Sequence, residues 1–262
     1  MKIAILLSGR TDRWESAVRR NYDEIINPLR REGCQVDVFA SFWDTPTTHD
    51  CISAYSPDLK IKDIESLSTY TEGLFKNTQE YFKRTQQYHP EDGEGFKFFI
   101  YGLYKLNRLY NMVKYYEKTN NTEYDYYIRL RPDATLSHPL KVEHLSKMSD
   151  SNMMVFVDHY VYIDGCRWGW AEGWVDDNFC VAKKRPFEIY CGIYESLVEL
   201  CDEYKTCISH IILQKELEKH NITPLIPRAL LVIVKPDRIL NYFGHVFPNS
   251  DVTKSYDQFK YV

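Results

Sequence analysis

The segment Tyr124-Asp125-Tyr126-Tyr127-Ile128-Arg129-Leu130-Arg131-Pro132-Asp133 holds the residue types best placed to do chemistry. A hydrophobic strand that delivers a carboxylate at its carboxyl end puts that group in the crevice where open α/β sheets bind ligands. A departing diphosphate needs its growing negative charge offset, and either a carboxylate-held Mg²⁺ or Mn²⁺ ion or an arginine does that. Asp133 and Arg131 supply both types side by side. The spacing suits a plainer arrangement equally well, in which Asp133 caps a turn after Pro132 while Arg129 and Arg131 make surface ion pairs.

A second pair of acids, Asp176-Asp177, follows the loop Trp168-Gly169-Trp170-Ala171-Glu172-Gly173-Trp174. Neighbouring carboxylates raise one another's pKa, which suits a general base, and aromatic rings suit the face of a sugar. Asp177 is the preferred base and Asp176 its neighbour. The alternatives are a cap ahead of a buried strand Phe179 to Ala182, and tryptophans that anchor the loop to the core. Other chemistry lacks its handles. There is no G-x-S-x-G elbow, no H-E-x-x-H helix, no P-loop and no G-x-G-x-x-G turn. Asp158, His159 and Asp164 lie close in sequence without such support, and Lys183-Lys184-Arg185 reads as a solvated loop before Pro186. Lys235-Pro236-Asp237-Arg238 is a further basic segment within reach of phosphates.

These groups need a scaffold, and the hydrophobic periodicity describes one. Ile3 to Leu7 is a continuous apolar run ended by Ser8-Gly9-Arg10, as in a central strand covered on both faces. From Trp14, the residues Ala17, Val18, Tyr22, Ile25, Ile26 and Leu29 recur at helical steps, and Gly33 closes the helix. Val36 to Phe42 completes a strand-helix-strand unit ahead of Trp43-Asp44-Thr45, which favours a parallel sheet. From about Asp50 to Glu94 the chain is polar with short apolar pieces, and the expectation is a short strand near Leu59 to Ile61 and a mobile surface loop. A helix follows from Phe99 to Asn120, and then the strand Tyr124 to Leu130. Met153 to Val157 and Tyr160 to Ile163 read as strands, Gly165 to Gly173 as loop, Pro186 to Tyr204 and Ile211 to Lys219 as helices, and Leu230 to Val234 as a last strand.

The chain's 262 residues fit one α/β domain with one sizeable core. A formal charge of −4 gives no global cationic field, which argues against a nucleic-acid binder. The seven cysteines include no C-x-x-C pair and suggest a reducing compartment. The apolar start is too short for a signal or membrane segment, and no other stretch has membrane length, so the expectation is a protein without a transmembrane segment. With 21 tyrosines the chain is rich in a residue that stacks on sugars and bases, though tyrosine also builds ordinary cores.

The segments KIAILLSGR, Asn21, VDVFASFWD, the helix carrying Tyr101-Gly102-Leu103-Tyr104-Lys105-Leu106-Asn107, YDYYIRLRPD and VDDNFCVA occur in this order. In that order the chain resembles GT-A-like glycosyltransferases of large DNA viruses, of the chlorovirus capsid-glycan type, and of bacterial surface-polysaccharide clusters. The resemblance spans roughly residues 1 to 200. It implies a GT-A-like three-layer α/β/α sandwich with a central, mostly parallel mixed sheet. Within a single domain over residues 1–262, residues 1–135 would bind the nucleotide-sugar and residues 136–262 the acceptor. It further implies a UDP- or GDP-sugar donor and a glycan or glycoprotein acceptor; inverting transfer is the expectation, with retention left open, and so is a cytoplasmic location, that of the host if the protein is viral. By position, Ser8, Gly9 and Arg10 match the donor loop, with Asp44 and Lys105 also at the nucleotide. Asp133 matches the last acid of a D-x-D-like motif whose first acid is replaced by Arg131. His245, beside Gly244, would be the late ligand of a Mn²⁺ or Mg²⁺ ion shared with Asp133. The Arg131 replacement leaves open partial neutralisation by arginine in place of a metal. It also leaves open a carbohydrate-binding or scaffold domain without catalysis, and a sugar nucleotidyltransferase is a further alternative.

Overall fold

The computed structural model of the chain describes residues 1–11, 14–68, 76–90, 93–136, 138–157, 161–163, 166–168, 175–225 and 232–234. Strand β1 (Lys2–Gly9) is followed by α1 (Glu15–Asn21), a π-helical turn (Tyr22–Ile26), α2 (Asn27–Arg31), β2 (Gln35–Trp43), α3 (Thr48–Tyr55) and β3 (Leu59–Glu65). Next come α4 (Lys76–Tyr88), the long α5 (Gly93–Thr119), β4 (Tyr126–Leu130), β5 (Ala134–Leu136), α6 (Val142–Leu145) and β6 (Asn152–Val157). The remaining elements are β7 (Val161–Ile163), β8 (Cys166–Trp168), β9 (Val175–Ala182), α7 (Lys184–Tyr204), α8 (Ser209–Lys219), β10 (Thr223–Leu225) and β11 (Val232–Val234).

Seven strands form one sheet in the order β10-β6-β9-β4-β1-β2-β3. Every neighbour pair is parallel except those of β9, which runs antiparallel to both β4 and β6. The alternation of β1 shows how both faces are filled. Ile3, Ile5 and Leu7 pack with Ile25, Ile26, Leu29, Ile52 and Tyr55 of the α1–α3 layer, while Ala4 and Leu6 pack with Leu103, Leu106 and Leu197 of the α5–α7 layer. The expected three-layer α/β/α arrangement around a mostly parallel mixed sheet is therefore what the chain forms. No described helix is long and apolar enough to cross a membrane.

Much of the tyrosine excess goes into this core. Tyr110, Tyr127 and Phe187 meet with centroids 5.2–5.6 Å apart between α5, β4 and α7. Buried tyrosine hydroxyls call for acceptors. Tyr127 donates to Glu117 at 2.7 Å and Tyr124 donates to Asp37 at 2.8 Å, which ties the end of α5 and strand β2 to β4.

Two expectations are corrected. The stretch from Asp50 to Glu94 is not mainly loop, because it contains α3, a β3 that runs on to Glu65, and α4. The buried positions of α4 follow a helical step through Thr78, Tyr81 and Thr85, and two of these three are threonines, so an apolar count overlooks the face. The segment Gly165 to Gly173 likewise includes β8, which pairs with β7. The helix from Trp14 is present but carries a π-turn ahead of Pro28. Proline has no N–H to give the carbonyl four residues back. That carbonyl, of Glu24, instead accepts from Leu140 N at 2.7 Å.

Gly33 closes α2 as the sequence indicates. Its φ is 83°, Gly33 N donates to Arg30 O at 2.9 Å and Cys34 N to Leu29 O at 3.1 Å, the paired bonds of a Schellman cap. Nothing lies within 4 Å of where a Cβ would stand, so the cost of a side chain there is conformational alone. Gly33→Ala should destabilise the chain by about 1 kcal/mol, and Gly33→Asn by less. Thermal unfolding that shows no loss for the alanine variant would contradict this account of the cap.

Candidate functional site

The sheet's strand order turns at β1, which has β2 on one side and β4 on the other, both parallel to it. The loops leaving the carboxyl ends of β1 and β4 flank the gap between these two strands, and the carboxyl edge is where open α/β sheets take ligands. A row of polar side chains crosses the sheet at this rim. Ser8 of β1 stands level with Ser41 of β2, and Ser41 with Asp63 of β3. One residue beyond the paired Leu7 and Leu130, Arg131 flanks Ser8, and Arg131 N donates to Asn178 O of β9 at 3.1 Å. Asn178, Arg131, Ser8, Ser41 and Asp63 thus form one line on the α5–α7 face.

Most of the row is bonded. Arg131 donates from Nη1 to Asn178 Oδ1 at 2.7 Å, and from Nε and Nη2 to the two Asp133 oxygens at 2.9 and 2.8 Å. Asp133 is 2% exposed. The ion pair that spacing alone allowed is therefore formed, but between Arg131 and Asp133 at the rim rather than on the surface. Ser41 donates to Asp63 at 2.7 Å. Ser8, in the middle, is fully buried and its Oγ has no partner. A buried hydroxyl without a partner costs about 1–3 kcal/mol. Arg129, two residues before Arg131 on the same face, is 4% exposed, and its Nε and Nη1 also lack partners.

The loops around the gap are fixed. Gly9 has φ 123°, a conformation open to glycine, and a Cβ there would come 4.0 Å from Pro132 Cδ across the gap. Thr11 bonds through Oγ1 to the hydroxyls of Thr45, Thr47 and Thr48 at 2.7–3.0 Å, and Thr48 Oγ1 donates to Trp43 O at 2.7 Å. This hydroxyl cluster joins the loop after β1 to the loop after β2. Arg10 and Asp44 stand exposed on these two loops, and Asp44 N donates to Glu65 O at 2.8 Å.

Lys105 reaches the rim from α5 but is fully buried. Its Nζ donates to Glu65 at 2.9 Å and to Asp63 at 3.3 Å, and it lies 4.5 Å from the centroid of the Trp43 ring. Arg108, one turn on, donates to both Asp63 oxygens at 2.9 and 3.0 Å. Burial raises the Asp63 pKa, but hydrogen bonds from Arg108 and Ser41 and the charges of Lys105 and Arg108 outweigh it and hold the carboxyl at about 2.

Asp176 and Asp177 lie within β9 rather than in a loop before it. Because β9 runs antiparallel to β4, its backbone at these residues continues past Asn178, on the outer side of the polar row. Trp168 belongs to β8. His245, Asp158, His159, Asp164, Trp170, Trp174 and the segment from Lys235 to Arg238 fall outside the described residues. Among the described residues, no group of three or more His, Cys, Asp or Glu side chains is arranged to hold a metal ion. Asp133 is the carboxylate expected in such a role, and both its oxygens receive Arg131.

Sequence reasoning missed Asp63, Glu65, Arg108 and Asn178. A signal existed for the first three: Asp63 and Glu65 alternate on β3, and Lys105 and Arg108 share one helical face three residues apart. Because the Asp63 pKa is depressed on folding, its stabilisation is complete above about pH 4 and disappears as pH falls through 2. Asp63→Asn should therefore lose about 2 kcal/mol at pH 7, with the gap to the parent chain closing between pH 4 and pH 2. Urea unfolding across that range tests this, and a gap independent of pH would overturn it.

No protein-family model matches the sequence, and no curated protein matches it. Among solved structures, the chain is similar to mouse xyloside xylosyltransferase 1 in its apo form, with 9% identity and a TM-score of 0.40 over 86% of this chain and 85% of that one. It is also similar to the mannosyltransferase Ktr4p from S. cerevisiae, with 13% identity and a TM-score of 0.46 over 88% of this chain and 69% of that one.

Proposed function

We propose that the chain transfers a glycosyl group from a UDP- or GDP-sugar to a glycan or glycoprotein acceptor, with inversion. The observation that carries this reading is the fully buried, unpartnered Ser8 Oγ at the point where the strand order turns, flanked by the Arg131–Asp133 pair. The order of segments shared with GT-A-like glycosyltransferases adds to it. Ser8, Gly9 and Arg10 meet the nucleotide, with Asp44 on the adjoining loop. Arg131 donates hydrogen bonds to the charge that develops on the leaving diphosphate. A guanidinium already oriented by Asp133 and Asn178 needs no reorganisation when that charge develops. Asp177 takes the proton from the acceptor hydroxyl.

Transfer and slow donor hydrolysis, measured with a panel of UDP- and GDP-sugars, test the reading. Arg131→Met should lower kcat/KM by about 10²–10³-fold. Asp177→Asn should lower transfer by at least about 10²-fold while the fold persists. Turnover that survives EDTA supports charge offset by arginine, whereas turnover abolished by EDTA and restored by Mn²⁺ supports the ion expected on Asp133 and His245. Full activity of Arg131→Met defeats the role of that residue. Sugar binding without any donor turnover would favour a binding domain, and nucleotide-sugar formed from a sugar phosphate would favour a nucleotidyltransferase.

A further inference from the structure

The carboxyl rim and the layer beneath it hold Asp63, Glu65, Lys105, Arg108, Arg129, Arg131 and Asp133. Lys105 and Arg108 are matched by Asp63 and Glu65, and Arg131 is matched by Asp133. Arg129 alone of these has no counter-ion among the described residues, and it is 4% exposed with Nε and Nη1 unbonded. The thiols of Cys180 and Cys191 lie within its electrostatic reach, yet burial pushes Cys180 up to about 12 and Cys191 well above its usual range, so neither supplies an anion.

A buried, unmatched guanidinium costs the fold several kcal/mol, and no carboxylate among the described residues offsets that cost. Its position explains what would. Arg129 lies one two-residue step, about 6.6 Å, inside Arg131 on the same face, between Leu6 of β1 and Cys180 of β9. An arginine side chain spans such a step. The Arg131–Asp133 pair is neutral as a unit, so it can orient an incoming anion but adds no net charge against it.

We propose that Arg129 is the interior receptor for an anionic group of the substrate, a phosphate of the nucleotide-sugar diphosphate or a carboxylate of an acidic sugar. This rests on the function proposed above and names the residue that supplies the net positive charge of that site.

Arg129→Met separates this role from a structural one. If the charge awaits a ligand, its replacement by an apolar side chain of similar length raises the melting temperature, by at least about 2 °C. The same change weakens binding of the anion. Titration calorimetry with inorganic pyrophosphate, UDP, GDP and glucuronate identifies the source: at least a tenfold loss for pyrophosphate and the nucleotides assigns a phosphate, and a loss confined to glucuronate assigns the sugar acid. A variant that melts lower or fails to fold, unchanged affinity for all four probes, or a parent chain that binds none of them would overturn the proposal. Pyrophosphate binding lost in Arg129→Met, in a parent chain that transfers no sugar, would leave this inference standing and remove the proposed function. Sugar transfer unaffected by Arg129→Met would do the reverse.

Discussion

Charge brought out of water has to be matched, and the carboxyl rim of this sheet is organised by that requirement. Lys105 sits fully buried at the seam between α5 and the sheet, and only Glu65 and Asp63 make that position tolerable. Removing one partner of such a group is far more damaging than replacing both, because the remaining charge stays stranded. The long helix α5 is therefore fixed to β3 at the rim by ions and to β4 at its other end by the acceptor role of Glu117. Between these two anchors the contact is apolar and aromatic.

The same requirement shapes the gap between β1 and β4. Asp133 is buried because Arg131 takes both its oxygens, and Arg131 is held because Asn178 takes the remaining edge. Arg131 and Asp133 lie just past the end of β4 and Asn178 within β9, so the entry of β9 beside β4 completes the geometry. The backbone of Asp176 and Asp177 continues directly from this clasp, which is why the acids singled out in the sequence and the arginine next to Asp133 end up at one rim.

The strands of the sheet and the principal helices were legible because each has a clear period. Ile3 to Leu7 alternates between two covered faces, and α7 presents Phe187, Tyr190, Ile193, Tyr194, Leu197 and Leu200 at helical steps. Helix α4 was not legible, since threonines rather than aliphatic residues fill its buried face. Ser8, Arg131 and Asp133 could be singled out because a strand end announces itself. Asp63 and Arg108 each sit in a locally visible pattern, but that they pair with one another across 45 positions is a property of register that the sequence does not display. Lys105, expected beside a nucleotide, lies at the same rim as Ser41 and Asp63, and its charge is taken up by Asp63 and Glu65 at the seam.

The interruption of the first helix carries a kinetic consequence. Pro28 leaves the carbonyl of Glu24 for Leu140, and Glu32 accepts from Val142 N at 2.8 Å, so residues 140–142 latch onto α1–α2 across more than a hundred positions of chain. Such closures are slow to form, because the entropy of a long loop is lost before any contact rewards it. The amino-terminal strand-helix-strand unit can assemble early from neighbours, yet its helix layer is sealed only after β4 has docked beside β1. Folding of this chain should accordingly be gated by a late, non-local step, even though most of its helices are local structures.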